Sequence, residues 1–360
     1  MIADKSIGRV MLLVFFHLCL YYNGFPQRNG FKVYLVGDAG ENDYPGKTLK
    51  NLGKELRENP NSAVIFLGDN CYKNDLWGVF PYGFKGFDSS ILTQKKLHSQ
   101  LDILKGYKGH VFFVPGNHDW WNITNAEKGA PKLRMEESFI EANLAANNTI
   151  ANPGNTFLPR EGSPGPEFID LNDDSLRIIF IDTYRLIITD FKAKQEEDFP
   201  LEKVFCAKLD SLMKDADKSN KKIIIAGHHT IFAKGPNSKP LKTPNLFARI
   251  KASNSTFPAY HRMVVKIRAV LKEFPGSYYV CGHVHSLQYY LPEDSIHYIV
   301  SGAGSKTNYV SASDIQKNVP IKGKEWLKWN SQGFFEIDFS GSPEKIIAYY
   351  DDGELKSVIN

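Results

Sequence analysis

The sequence has few cysteines, and they are not arranged for chemistry. Of its four cysteines, three follow the N-terminal region, and these are Cys71, Cys206 and Cys281. An odd, scattered set of this kind does not predict a disulfide framework. None of the three begins a phosphate-cradling loop, which argues against a cysteine-nucleophile phosphatase, and no serine-nucleophile motif is present either. We expect all three to be buried and to pack as small apolar side chains.

The sequence also lacks a large excess of charge of one sign. Lys and Arg number 44 against 40 Asp and Glu, a net charge of +4, which is far below the dense positive stripe of a nucleic-acid-binding protein and indicates no nucleic-acid partner. The segment from Lys234 to Lys272 is different, because it has nine Lys or Arg and no acidic residue. Its field would attract an anionic substrate, although a solvated face with its acids elsewhere is an equally good interpretation.

Long apolar runs are absent except at the N-terminus. There Lys5 and Arg9 precede an apolar run from Val10 to Tyr22, and a polar stretch with Gly and Pro follows. This order is typical of a secretory signal, and the run is short for a membrane span, which needs about 20 apolar residues. We predict a signal peptide or short anchor over 1–28 and a single catalytic domain over 29–360. Export to a secreted, periplasmic or lysosome-like location follows, with no stable membrane partner unless the segment is uncleaved.

Short apolar runs rich in β-branched and aromatic residues recur along the chain and predict strands buried on both faces. They cover 31–36, 63–67, 110–114, 176–181, 222–226, 277–281 and 297–300. Segments with a helical period lie between several of them, at 46–58, 94–105, 201–216 and 261–274. The alternation predicts an α/β fold, closed by a hairpin over 333–339 and 344–350. The stretch 122–166 is rich in Asn, Gly and Pro and predicts a surface excursion of loops.

Polar side chains follow directly on five of these strands. The motifs are Gly37-Asp38, Gly68-Asp69-Asn70, Gly116-Asn117-His118-Asp119, Gly227-His228-His229 and Gly282-His283-Val284-His285. A Gly-Asp pair alone is ordinary turn chemistry, whereas Gly-Asn-His-Asp and Gly-His-x-His are more specific because they have more polar residues than a turn needs. Ligands of open α/β sheets, however, bind beyond the carboxyl ends of the strands, and carboxylate, amide and imidazole groups suit divalent and trivalent metals. This many donors suits two ions rather than one.

These five motifs, in this order, resemble the calcineurin-like metallophosphoesterase superfamily, and within it the small purple acid phosphatases of the tartrate-resistant type. The chain has Gly37-Asp-Ala-Gly40 where the commonest pattern has a histidine two residues after the aspartate, and it continues with Gly68-Asp-Asn-Cys-Tyr72. The resemblance extends over roughly residues 30 to 350. It implies a four-layer α/β/β/α sandwich with the metal site at the carboxyl ends of the strands.

The resemblance also implies a centre of two metal ions bridged by Asp69. The first ion would be held by Asp38, Tyr72 and His285, and the second by Asn117, His228 and His283. Tyr72 would thus take the role of the histidine that Gly40 replaces. Because a tyrosinate is a hard anionic donor, it favours Fe(III) at the first position, with Fe(II), Zn or Mn at the second. Packing under the loop is the structural alternative for Tyr72.

The chemistry implied by the resemblance is an acid phosphatase reaction on phosphomonoesters, by direct attack of a metal-activated hydroxide and with a mildly acidic optimum. His118 would contact the phosphoryl group and protonate the leaving oxygen, and Asp119 would orient that imidazole or cap the turn. The substrate would be a phosphate ester, either a small anionic molecule or a phosphorylated biomolecule. A phosphodiesterase or nucleotide pyrophosphatase is the alternative, and a non-catalytic phospho-ligand-binding protein is a remoter one.

Overall fold

A computed structural model of the protein describes residues 30–72, 91–121, 125–147, 149–190, 200–235, 257–309 and 321–359. The predicted signal or anchor over 1–28 lies outside these residues, as does most of the basic segment from Lys234 to Lys272. The prediction of one domain over 29–360 stays a prediction. None of the helices within the described ranges combines the length and apolar character that crossing a bilayer requires.

Strands and helices alternate through most of the described chain. The strands are β1 (Lys32–Val36), β2 (Ser62–Phe66), β3 (His110–Phe113), β4 (Glu167–Leu171), β5 (Leu176–Phe180), β6 (Lys222–Ala226), β7 (Tyr278–Cys281), β8 (Leu287–Pro292), β9 (His297–Ser301), β10 (Gly323–Lys328), β11 (Phe334–Asp338), β12 (Lys345–Tyr350) and β13 (Leu355–Val358). The helices are α1 (Lys47–Glu58), α2 (Ile91–Leu101), α3 (Ala126–Asn147), α4 (Thr183–Asp190), α5 (Pro200–Lys218) and α6 (Phe257–Leu271).

The strands form two mixed sheets. The first sheet has the order β13-β12-β11-β1-β2-β3, and the second sheet has the order β10-β8-β9-β7-β6-β5-β4. Within the first sheet β1, β2 and β3 are parallel, and within the second β5, β6, β7 and β9 are parallel. The predicted C-terminal hairpin is the antiparallel pair β11 and β12. Parallel strands put their carboxyl ends at one edge, so the loops with the polar motifs gather at the same edge of each sheet.

Alternate residues of each central strand face different layers of the molecule. Val33 and Leu35 pack with Ile178 and Phe180 between the sheets, whereas Tyr34 packs outward against α1, α2 and α3. On the far side, α5 and α6 cover the outer face of the second sheet. The period of two along a strand explains this division. The predicted four-layer α/β/β/α sandwich is therefore confirmed.

The prediction of loops over 122–166 was wrong for its first half. The structure has a helix there, α3, which buries Leu133, Ile140 and Leu144 against the outer face of the first sheet. Its apolar stripe is hidden in the sequence because Glu136 occupies a fully buried position on the same helix. The edge strands β4, β10 and β13 were also missed, since edge positions carry polar and charged residues that weaken the strand pattern.

Candidate metal centre

The five polar motifs lie on loops at the seam between the two sheets. The amide of Gly37, after β1, donates to the carbonyl of Ser301 in the second sheet at 2.7 Å. A Cβ on Gly37 would approach the Cα of Gly282 at 3.0 Å, tighter than an ordinary contact. The glycines that precede Asp38 and His283 therefore let the backbones of the two sheets meet. Their closeness brings side chains from opposite sheets into one cluster.

Three of the predicted metal ligands have left-handed backbone conformations. Their φ angles are 57° at Asp38, 54° at Asp69 and 67° at His283. Few non-glycine residues adopt this region, and Asp and His tolerate it better than most. Residues held there cost roughly 1 kcal/mol or more and cluster at functional sites, where the surrounding structure compensates. The strain falls on the residues whose side chains point into the cluster.

The first group of predicted ligands consists of Asp38, Tyr72 and His285, and their polar atoms converge. The Tyr72 hydroxyl donates to Asp38 Oδ1 at 2.6 Å and lies 3.1 Å from His285 Nε2. His285 Nε2 is also 3.1 Å from Asp38 Oδ1. On its other side, His285 Nδ1 is 3.1 Å from Asn308 Oδ1. An Nδ1–H donated to that amide oxygen leaves the Nε2 lone pair facing Asp38 and Tyr72.

The second group consists of Asn117, His228 and His283 beside Asp69. His228 Nε2 lies 3.3 Å from Asp69 Oδ1, 3.1 Å from Asn117 Oδ1 and 3.3 Å from His283 Nδ1. His228 Nδ1 lies 2.8 Å from the carbonyl oxygen of Leu67, to which it donates. Its Nε2 therefore faces the other donors, which is the orientation that a metal ligand requires.

A cluster of donor atoms close enough together to hold a metal ion links the two groups. Asp38, Asp69 and His228 are all buried, and one donor atom from each lies within 4.8 Å of the others. The first sheet carries the oxygen donors Asp38, Asp69, Tyr72 and Asn117, and the second sheet carries the three histidines His228, His283 and His285. This donor set fits two borderline-hard ions. That these side chains bind metal stays a prediction.

Gly40 has a structural role at the position where a histidine is missing. A Cβ there would collide with the backbone carbonyl of Asn70 and the amide nitrogen of Cys71. The Tyr72 amide donates to the carbonyl of Gly40 at 3.0 Å, and the Gly40 amide donates to that of Asp69 at 3.2 Å. The absence of a side chain thus lets the loop after β2 pack directly on the loop after β1. This packing brings the Tyr72 hydroxyl to Asp38.

His118 and Asp119 are neighbours in sequence but have different surroundings. The His118 ring packs on Tyr72 with centroids 4.6 Å apart, its amide donates to Asp69 Oδ1 at 2.9 Å, and its side chain is 30% exposed. Asp119 is fully buried, and its carboxylate accepts from the amides of Gly116 at 2.7 Å and Cys71 at 3.1 Å. These contacts are those of a turn cap that also joins two loops, the second of the two roles expected for it.

Burial and carboxylates shift the pKa values of the cluster in opposite directions. Burial, together with Asp38 and Asp69, raises the pKa of the Tyr72 phenol well above its usual range. Burial lowers the pKa of His228, but Asp69 and Asp38 outweigh it and raise the value to about 9. The protonated His228 thus offsets part of the carboxylate charge, and the proton on Tyr72 keeps the phenol from adding a further negative charge. A bound cation would take over that balancing role and release both protons.

Comparison with known proteins agrees with this geometry. The family model described as calcineurin-like phosphoesterase matches residues 31–287. The chain belongs to the calcineurin-like phosphoesterase family. It is a hydrolase that acts on phosphoric ester bonds, and the predicted resemblance to this family is confirmed.

Curated relatives of this phosphoesterase are tartrate-resistant acid phosphatases of type 5. It is 23% identical over 277 residues to the enzyme of Oryctolagus cuniculus, covering 75% of this chain and 69% of that one. It is 25% identical over 267 residues to the Homo sapiens enzyme, covering 72% of this chain and 64% of that one. The alignments therefore span about two thirds of the length of these relatives.

Solved structures of similar fold include three with low identity to this phosphoesterase. GAP50, the anchor in the inner membrane complex of Plasmodium, has a TM-score of 0.57 at 15% identity and covers 92% of this chain and 89% of its own. The purple acid phosphatase PPD1 of yellow lupin has a TM-score of 0.56 at 13% identity, and the match covers 91% of this chain and 52% of that one. A dimetal phosphatase of Danio rerio has a TM-score of 0.51 at 13% identity, and the match covers 92% of this chain and 98% of that one. At this identity they show the fold.

Two side chains of this phosphoesterase site were not foreseen from the sequence. Asn308 contacts His285, and Lys306 lies over the Tyr72 ring with its Nζ 3.7 Å from the centroid. Both lie in the loop after β9, beyond the stretch Ser301-Gly-Ala-Gly-Ser305. Nothing in the local pattern distinguishes them from ordinary loop residues. Their position depends on the approach of that loop to the first sheet.

Proposed function

We propose that this phosphoesterase is an acid phosphatase that hydrolyses phosphomonoesters at a centre of two metal ions, with Fe(III) beside Tyr72 and Fe(II), Zn or Mn beside His228. The observation that carries the proposal is the contact of the Tyr72 hydroxyl with Asp38 Oδ1 and His285 Nε2, at 2.6 and 3.1 Å. A phenol that only packed under the loop would not need two donor atoms of the cluster as partners. Its oxygen is a hard ligand for a trivalent ion.

The donor atoms support two metal positions rather than one. Asp38, Tyr72 and His285 form one group and Asn117, His228 and His283 the other, with Asp69 contacting the second group through His228. When bound, two ions in such a site supply an activated water nucleophile and charge neutralisation for the phosphoryl oxygens. The chain itself contributes donors that are oriented in advance, because Leu67 and Asn308 fix the tautomers of His228 and His285.

His118 is the residue proposed to protonate the leaving oxygen. It is adjacent to the cluster, with Nε2 3.9 Å from Asp69 Oδ2, yet its 30% exposure leaves the ring accessible from the cleft. Burial lowers its pKa, while the nearby Asp69 carboxylate opposes that shift. A proton held on His118 near Asp69 can be transferred to a departing alkoxide, which acquires negative charge as the ester bond breaks. Asp119 would act on the loop backbone.

An exported location, through cleavage of the N-terminal segment 1–28 or anchoring by it, accompanies the proposal. It rests on the order of basic, apolar and polar residues there. Expression of the full chain as a fusion to a reporter, with N-terminal sequencing of the mature protein, would test it. A mature N-terminus near residue 29 supports export with cleavage, whereas an intact N-terminus in a membrane fraction supports an anchor.

The test of the activity uses two esters with the same leaving group. Purified, metal-analysed protein is assayed against p-nitrophenyl phosphate and methyl p-nitrophenyl phosphate between pH 4 and 8. Faster turnover of the monoester at acid pH, lost on chelation and regained with iron, supports the proposal. Preference for the diester would replace it by a phosphodiesterase, and metal-loaded protein without turnover of any ester would indicate a binding protein.

A further inference from the structure

Lys306 lies next to the candidate metal centre and is partly exposed to solvent. Its Nζ lies 3.7 Å from the centroid of the Tyr72 ring and 2.9 Å from Glu41 Oε2. The side chains of Lys306 and Glu41 are 31% and 41% exposed, so both can be reached from solvent. An exposed Lys–Glu pair contributes little to stability. The fold therefore does not require a cation at this place.

The loop that carries Lys306 is fastened to the centre at both ends. The Ser305 hydroxyl donates to the carbonyl of Asp38 at 2.6 Å and accepts from the amide of Glu41 at 3.1 Å. Two residues after Lys306, the amide of Asn308 donates to the carbonyl of His285 at 3.1 Å. Since Asp38 and His285 both belong to the first group of predicted ligands, the backbone on each side of Lys306 is held against that group.

His118 lies on the same Tyr72 ring as the lysine. The ring centroids of Tyr72 and His118 are 4.6 Å apart. After burial, and against the effect of Asp69, the charge of Lys306 is one of the groups that lower the pKa of His118. The ammonium and the proposed proton donor thus both contact the ring of Tyr72, a predicted ligand of the first group. A phosphoryl group bound at the centre would therefore have both side chains in its neighbourhood.

We propose that Lys306 binds the second negative charge of a phosphomonoester dianion and that Glu41 holds the ammonium until substrate displaces it. The inference rests on the proposed function and specifies its substrate class. A monoester with its second pKa near 6 carries up to two negative charges, whereas a diester carries only one. A lysine is a compact point charge on a flexible stem, which suits a phosphate that arrives and leaves. The residue would therefore select monoesters over diesters.

The kinetic test compares Lys306→Met, Lys306→Arg and Glu41→Gln on p-nitrophenyl phosphate and methyl p-nitrophenyl phosphate at about pH 7, where the monoester is mainly a dianion. We expect Lys306→Met to lower kcat/KM for the monoester about tenfold to a hundredfold, mainly through KM, which is the range of one charge-assisted hydrogen bond. The diester should lose less than about threefold. Lys306→Arg should stay close to the wild type, and Glu41→Gln should lower KM for the monoester because the competing carboxylate is gone.

The matched control is Lys322→Met, since Lys322 also pairs with a glutamate but is 86% exposed. It should change neither rate. An equal loss on both esters in Lys306→Met, or an arginine variant as weak as the methionine variant, would overturn the proposal. In that case Lys306 only packs on Tyr72.

A binding measurement separates this inference from the proposed activity. Calorimetric titration of metal-loaded protein with inorganic phosphate needs no turnover. Lys306→Met should weaken phosphate binding about tenfold or more, whereas Lys322→Met should leave it unchanged. If the wild type hydrolyses neither ester but Lys306→Met still binds phosphate more weakly than the wild type, the proposed activity fails and the anion subsite stands. Unchanged phosphate affinity in Lys306→Met refutes the subsite.

Discussion

The phenol oxygen of Tyr72 lies 2.6 Å from a carboxylate oxygen of Asp38. This contact leads to the first prediction, for Tyr72→Phe, which keeps the ring that packs on His118 and Lys306 but removes the oxygen. We expect wild-type protein loaded with iron to show a visible phenolate-to-Fe(III) absorption band and the variant to lack it. Metal analysis should show that the first ion is bound more weakly, since one of its anionic ligands is gone.

The variant should remain folded, because only a hydroxyl is removed. A circular dichroism spectrum like that of the wild type checks this point. A band that persists in Tyr72→Phe would assign the colour to another ligand, and a colourless, active wild type would mean that the first ion is not Fe(III).

The second prediction concerns His118 as proton donor. His118→Asn should reduce kcat about a hundredfold on an alkyl phosphate with a poor leaving group, which is within the usual range for general acid catalysis. On p-nitrophenyl phosphate the loss should be about tenfold or less, because that leaving group departs without a proton. Steady-state kinetics on both substrates gives the ratio. Equal losses on the two would assign His118 to phosphate binding instead.

The third prediction concerns Asn308, whose side-chain oxygen lies 3.1 Å from His285 Nδ1. Removing the partner that orients a histidine ligand typically reduces metal affinity about 10- to 100-fold. We expect Asn308→Ala to lower affinity at the first site by about that factor, measured by competition with a chelator. Asn308→Asp keeps an acceptor oxygen and should bind metal at least as well as the wild type. Loss of affinity in both variants would point to a backbone change.

The fourth prediction concerns the glycine that stands where a histidine is usual. A methyl group at Gly40 would collide with the backbone of Asn70, which cannot move as a flexible side chain would. Gly40→Ala should lower the free energy of unfolding by about 1–3 kcal/mol, the typical cost of overpacking, and displace Tyr72. Gly341→Ala is the control, because a Cβ there meets its nearest atom at 3.6 Å. Urea unfolding measures both, and a Gly40→Ala protein as stable as the control contradicts the packing argument.

The fifth prediction is the pH dependence of stability due to Glu136, a buried residue on α3. Burial raises its pKa from 4.5 to about 8, despite the opposing effect of Asn70 and Asp119. A raised folded-state pKa gives stability that is full below pH 4.5 and is lost as the pH rises through 8. The loss is at most about 5 kcal/mol, at about 1.4 kcal/mol per unit.

Urea unfolding of wild type and Glu136→Gln at pH 5 and pH 8.5 checks this expectation. The variant, which stays neutral, should lose less stability on going to the higher pH. Glu127→Gln, at an exposed position of the same helix, should follow the wild type. Parallel curves for the wild type and Glu136→Gln would show that Glu136 does not carry the effect.

The parallel strands and their loops were predictable from the sequence because they have strong local signals. Apolar runs ending in Gly-Asp or Gly-His identified β1, β2, β6 and β7, and with them most of the candidate ligands. Helix α3 was not predictable, since Glu136 interrupts its apolar stripe and becomes acceptable only when buried beside Asn70 and Asp119. Lys306 and Asn308 were missed for another reason: their contacts join residues more than 20 positions apart, and only the packing of the sheets creates them.

Because the donors are divided between the two sheets, metal ions bound at this centre would hold the sheets together. Oxygen atoms come from the first sheet and imidazoles from the second, so neither sheet alone offers a complete cage. The affinity for metal would therefore depend on how well the two sheets pack against each other. A substitution in the apolar layer between the sheets, with no contact to the centre, would therefore lower the affinity of the centre for metal.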